Sequence, residues 1–138
     1  MQGNPYNAYK QTSVETASPE RLVIMLYDGA LKFLRIAREA IEQKNIEEAN
    51  KYICKTQDII NEFIVSLNMS TGEIAFNLRD IYDFWNRMLI EANIKKDPMI
   101  IDQVAQQVQE MRDAWAEAAI KCKSSQPTTA VGGVNIEG

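Results

Sequence analysis

Thr16-Ala17-Ser18-Pro19-Glu20-Arg21-Leu22-Val23-Ile24-Met25-Leu26-Tyr27-Asp28-Gly29-Ala30-Leu31-Lys32-Phe33-Leu34 is a helix start followed by more apolar surface than one helix face needs. Ser18 suits the N-cap, Pro19 has the fixed φ and missing N–H of a first helical position, and Glu20 places negative charge at the positive end of the dipole. A helix on the outside of a bundle needs roughly three core positions in seven. Here Leu22 to Tyr27 is unbroken apolar sequence, and Ala30, Leu31, Phe33 and Leu34 follow. Two stripes can be drawn at helical spacing, one through Leu22, Met25, Gly29, Phe33 and Ile36, the other through Val23, Tyr27, Ala30, Leu34 and Ile41. One faces the protein's own core and the other needs a cover; spacing alone leaves open which is which.

Working outward, the first helix is expected over residues 18–43, ending at Lys44-Asn45 with Asn in the left-handed position. Asn45-Ile46-Glu47-Glu48 reads as a capping box opening a second helix over 46–67. Its expected core is Ile46, Ala49, Ile53, Ile60, Phe63 and Leu67, with Thr56 in one slot. Asn68 to Gly72 is a turn, and Ser70 with Glu73 offers another box for a third helix over 73–95, with a seam through Ile74, Leu78, Ile81, Trp85, Met88 and Ala92. Asp97-Pro98 restarts the chain for a fourth helix over 98–123, carrying Ile101, Val104, Val108, Met111, Trp115, Ala118 and Cys122. Helices of similar length joined by short connections pack antiparallel. The expected fold is all-α: an antiparallel up-down-up-down four-helix bundle over 18–123, a short N-terminal segment (1–17) packing on it, and a flexible C-terminal tail (124–138). For residues 1–17 a frayed terminus with incidental aromatics competes with a segment lying back on the body; the surplus stripe on the first helix favours the second.

At 138 residues, 46% hydrophobic and 25% charged, the chain has the composition of one globular domain. A net charge of −4 without a Lys/Arg block argues against nucleic acid or an anionic membrane as main partner. Nowhere are there about 18 uncharged apolar residues in a row, so membrane insertion is not expected. The N-terminus lacks the pattern of a signal peptide, which implies a cytoplasmic protein. Cys54 and Cys122 belong to no CxxC pair and read as small buried or half-buried thiols.

The absence of histidine removes the usual metal ligand and the commonest general base, and with them the di-iron bundle pattern. Asp80, Asp83 and Glu91 stand among Arg79 and Arg87 at spacings that suit a solvated ion-paired face. No catalytic residues, metal site or cofactor are expected, and the chain does not read as an enzyme. Gly29 costs roughly 1 kcal/mol against alanine in mid-helix. Such a glycine marks close approach, either of a neighbouring helix or of a partner, and both readings stand. Tyr27, Tyr52 and Tyr82 are expected at the core boundary, rings buried and hydroxyls wet.

Taken together, Tyr9, Val14, Thr16 to Leu22 and Met25 to Ala30, followed by Ser66-Leu67-Asn68, Gly72 to Ala75, Asn77-Leu78, Leu89 to Asn93 and Arg112 to Trp115, resemble the signature of the FliS family of flagellin export chaperones. The resemblance runs from about Tyr6 to Lys123. It implies a cytoplasmic helical bundle that holds the C-terminal helical region of flagellin in apolar grooves, prevents premature polymerisation and engages the flagellar type III export gate. Carried over by position, Tyr6 and Tyr9 belong to a segment covering the groove, while Leu22, Met25, Leu26, Tyr27 and Gly29 belong to the region covered. The competing expectation is a self-associating structural bundle with no client; a homodimer of the client-free protein would hide the same surface.

Overall fold

The computed structural model describes residues 18–125, with side chains to 121. Among them are four α-helices and no strand: α1 (Pro19–Glu42), α2 (Ile46–Ser66), α3 (Glu73–Lys95) and α4 (Pro98–Ser125), with a 3-10 turn at Met69–Thr71. The expected covering segment and tail lie outside the described residues, apart from the end of α4.

Local chemistry sets the boundaries. The Ser18 hydroxyl accepts from the Arg21 N–H at 3.2 Å, the Asn45 side chain from the Glu48 N–H at 3.2 Å, and Asp97 Oδ1 from the Met99 N–H at 2.9 Å. Each satisfies an orphan donor of a first helical turn. Two expectations are corrected. Lys44, not Asn45, takes the left-handed position (φ 61°), because Asn45 already serves as the next N-cap. The Ser70/Glu73 box does not form: Asn68 Oδ1 accepts from the Ser70 N–H and hydroxyl, and α3 starts after Gly72 at φ 102°, where a Cβ would be strained.

The described residues fall into two compact units, Leu26–Glu110 and a second containing 18–25 and 111–125. In the second, Leu22 to Met25 are half-buried, as are Met111 and Trp115, and Lys121 pairs with Glu117 at 3.5 Å.

Within Leu26–Glu110 the partners run in opposite directions along successive helices. Tyr27 and Phe33 of α1 meet Phe63 and Tyr52 of α2; Asn50 and Asn61 of α2 meet Asn93 and Asn86 of α3; Trp85 of α3 meets Gln107 of α4; Arg38 of α1 meets Asp102 of α4. An aromatic cluster fills the centre. Tyr27 stacks on Phe63 at 4.5 Å, Phe63 on Tyr82 at 5.2 Å, and Trp85 stands edge-on to Tyr27 at 6.4 Å. Trp85 Nε1 donates to Gln107 Oε1 at 2.8 Å, and Thr56, fully buried, donates to the Tyr52 carbonyl at 2.9 Å, so both buried donors are satisfied.

Tyr27 and Tyr82 correct the expectation of wet hydroxyls. They are 0% and 3% exposed, and their hydroxyls bond each other at 2.9 Å. Burial pushes the Tyr82 pKa above the ordinary tyrosine value, outweighing the opposing effect of the bond to Tyr27. Folded Tyr82 therefore keeps its proton where the unfolded chain has lost it. Its contribution is intact below the unfolded value of about 10 and is lost as pH rises through the folded value. Tyr82→Phe should cost about 1 kcal/mol at neutral pH and give a shallower alkaline loss of stability than the parent, measured by urea unfolding across that range. Equal alkaline slopes would refute this.

The core also departs from the expected seams. In α2, Ala49, Ile53, Thr56, Ile60 and Phe63 are buried as expected, but Ile46, the first residue of the helix, is 53% exposed. In α3 Trp85 and Ala92 are buried as expected, but Ala75, Tyr82 and Leu89 are buried one position on from the expected Ile74, Ile81 and Met88, of which Ile81 and Met88 are half-buried and Ile74 is 72% exposed. Cys54 is exposed, one position round the helix from buried Ile53, rather than buried or half-buried.

Candidate functional site

The first helix answers the question its sequence poses. Tyr27, Ala30 and Leu34 of the second stripe are buried together with Ala37 and Ala40 and face the core, while the stripe's end members Val23 and Ile41 are half-buried. In the first stripe, Met25, Gly29, Phe33 and Ile36 are all half-buried.

Within Leu26–Glu110 that partly open side of α1 runs along α2. At one end Leu26, half-buried, lines a cleft of about 400 Å³ with Asp58, Asn61, Glu62, Val65 and Ser66. Val65 is 84% exposed, so its apolar surface is unused by the fold. In the middle, a Cβ at Gly29 would stand 3.4 Å from Ile59 Cδ1. At the far end the Phe33 and Tyr52 rings lie 5.6 Å apart, and the Lys55 ammonium sits 5.6 Å from the Phe33 centroid and 5.8 Å from that of Tyr52. Leu26, Gly29 and Phe33 thus form a partly open apolar line along the α1/α2 groove, with the cleft at its Leu26 end and charged α2 residues beside it.

The residues singled out in the sequence are distributed as follows. Leu26 lines the cleft. Gly29 faces Ile59, the contact expected of helix packing. Tyr27 is a core residue at 0% exposure, so in this conformation it backs the groove and offers a partner no surface. Leu22 and Met25 are half-buried in the other unit. Tyr6 and Tyr9 lie outside the described residues. Sequence reasoning missed Val65, which a last-turn position hides, and the Phe33/Tyr52/Lys55 cluster, in which Phe33 stands 19 and 22 positions from its two partners on another helix.

Gly29→Ala tests the packing at mid-groove. The glycine is helical, and the only contact its new methyl would make is with the far end of a flexible isoleucine. The variant should gain about 0.5–1 kcal/mol from helix propensity, read as a higher urea midpoint at unchanged slope. A destabilised Gly29→Ala would show that Ile59 cannot give way.

No group of three or more Cys, Asp or Glu among the described residues could hold a metal ion, and no described helix is long and apolar enough to cross a membrane. The carboxylates of α3 are spread along its surface: Arg79 pairs with Asp83 at 3.9 Å and Lys95 with Glu91 at 2.7 Å. Among the described residues the α1/α2 face offers partly exposed apolar side chains beside charges.

Comparison with known proteins agrees in kind. The family profile described as "Flagellar protein FliS" matches residues 2–122. The chain belongs to the FliS family. The flagellar secretion chaperone FliS of Bacillus subtilis is 44% identical over 115 residues, covering 83% of this chain and 86% of that one. FliS of Vibrio cholerae is 37% identical (78% and 83% covered), and FliS of Salmonella typhimurium 36% identical (83% and 89% covered). A crystal structure of a flagellar chaperone from bacteria superposes with a TM-score of 0.71 at 20% identity, covering 84% of this chain and 95% of that one, which bears on the fold alone. Membership of a family of FliS secretion chaperones supports a chaperone role in flagellar export.

Proposed function

We propose that this FliS protein holds the C-terminal helical region of flagellin on the α1/α2 face, keeps it from polymerising, and delivers it to the flagellar export gate from the cytoplasm. The observation that carries this reading is the groove itself: Leu26 and Phe33 half-buried, Val65 84% exposed, and a cleft beside them that the core does not need. An extended client loses conformational entropy on docking, so its affinity must come from apolar anchors spread over a long contact, as when an amphipathic helix lies in a groove. Leu22 and Met25 are proposed as further client contacts on α1, Tyr6 and Tyr9 as parts of a segment that competes with the client, and Tyr27 and Gly29 as the residues that shape the face from behind.

The test is co-purification of the full chain with a flagellin C-terminal fragment and with a fragment lacking the terminal helices. The first should be captured and the second not; equal capture, or none, would refute the reading. Sedimentation over a concentration range separates the competing self-association: a dimer that persists at the lowest concentration and excludes client would replace client holding.

A further inference from the structure

We propose that the α1/α2 groove is charge-polarised and that it seats an amphipathic helical segment in one direction, with the segment's carboxylates over Lys51 and Lys55 and its basic side chains over Asp58 and Glu62. This rests on the reading of the groove as the client site and adds which way round the client lies.

Lys51, Lys55, Asp58 and Glu62 follow one another along α2, and the structure divides them between two ends of the groove. Asp58 and Glu62 line the cleft with Leu26 and Val65. Lys55 sits over the Phe33 and Tyr52 rings, and Lys51 sits 5.6 Å from the Tyr52 centroid. Among the described residues none of the four is in an ion pair, although Glu47 and Glu48 stand one turn before Lys51. Some charges elsewhere are paired: Arg38 bridges Glu42 and Asp102, Arg79 meets Asp83 and Lys95 meets Glu91. The four charges beside the apolar line are therefore open to a partner's charges.

Spacing makes the polarity usable. Lys51 and Glu62 are separated by roughly 16 Å of helix at 1.5 Å per residue, and a docked helix of about three turns spans that length. The distance exceeds the screening length of about 8 Å at physiological salt, so each end is felt separately. Rings beneath Lys51 and Lys55 hold the ammonium groups near the apolar line, where a partner carboxylate would meet them partly desolvated. A segment seated the other way would set carboxylate against carboxylate, the repulsive element that gives an interface its register.

The experiment measures affinity of the flagellin C-terminal fragment for the full-length chain, its K51E/K55E and D58K/E62K variants, and the fourfold variant carrying all of these changes. Circular dichroism confirms that each is folded. Each double variant should bind about tenfold more weakly at low salt, and the difference should shrink to about twofold near 0.5 M salt. Carbodiimide coupling, which joins a carboxylate directly to an amine, should link fragment carboxylates to Lys51 or Lys55 and fragment lysines to Asp58 or Glu62. In the fourfold variant affinity should recover and the fragment should be coupled in the reversed direction. Unchanged affinity in both double variants, or couplings in both directions in the parent, would overturn the polarity. Should Leu26→Glu weaken binding while the charge variants do not, the groove stands and only its direction fails; should neither matter, the site itself is wrong.

Discussion

Trp85→Ala is expected to lower the stability of the chain by about 3–5 kcal/mol, the range for emptying a large aromatic site in a closed core. Trp85 is 1% exposed, and its ring touches two others, Tyr27 edge-on and Tyr82 at 5.6 Å. Its removal leaves a void against both and strands Gln107, whose amide oxygen accepts the indole N–H. Gln107 is only half-buried, so water can replace that bond and the cost is dominated by the cavity. Trp85→Phe keeps a ring in the site and should cost about 1–2 kcal/mol. Urea unfolding followed by circular dichroism gives both values, and the alanine variant should also melt roughly 10 °C lower. A loss under about 1 kcal/mol for Trp85→Ala would mean the aromatic cluster collapses to fill the hole.

The consequence reaches beyond stability because the cluster ties α1 to its neighbours. Tyr27 follows Leu26 in sequence and stacks on Phe63 of α2, two residues from both Asn61 and Val65 at the cleft. Loosening the cluster therefore loosens the cleft. Trp85→Ala should weaken client capture even at temperatures where it is folded, although Trp85 itself lies in the core.

Much of this was legible in the sequence where one residue type has one use. Ser18-Pro19, Asn45 and Asp97-Pro98 mark helix starts because a side-chain acceptor before orphan N–H groups, or a ring lacking one, suits few other places. Asn45 shows the limit of such punctuation: it suits both a left-handed helix end and an N-cap, and only the chain's reversal decides for the cap while Lys44 takes the strained φ. Periodicity fared worse in α3, which has large apolar residues on nearly every side. Phe76, Phe84, Ile90 and Ile94 are between 43% and 79% exposed, while Ala75 and Tyr82 are buried. Weighting by side-chain size thus favours Ile74 over Ala75, while Trp85 and Ala92 are buried as expected. The same bias hid Ala37 and Ala40 on the core side of α1, where close helix approach selects small residues.

The candidate site was legible as a surplus and illegible as a place. That α1 carries two apolar stripes follows from its composition; that the stripe of Tyr27, Ala30 and Leu34 goes inward depends on a hydroxyl pairing with Tyr82, 55 positions away, which no local pattern encodes. Val65 and the Lys51/Lys55 pair join the site for an equally non-local reason, since α2 must first fold back against α1.

Leu26→Glu should leave the bundle folded and reduce affinity for the flagellin C-terminal fragment by roughly 30-fold or more, the loss of about 2 kcal/mol expected at an interface anchor. Leu26 is half-buried at the mouth of the cleft, so in the free protein a glutamate there can turn its carboxylate to water and cost about 1 kcal/mol or less. With client bound that escape closes. The new charge must be buried against an apolar side chain, next to Asp58 and Glu62 of the same sign. Leu26→Ala removes the anchor without adding charge and should lose about 5- to 30-fold. Phe76→Glu supplies the control: Phe76 is 54% exposed on α3 and lines no part of the cleft, so its variant should bind within about twofold of the parent. Fluorescence anisotropy with a labelled fragment reads all three. If Leu26→Glu bound within about threefold of the parent, or Phe76→Glu lost as much as Leu26→Glu, the client would be held by some other face of the bundle.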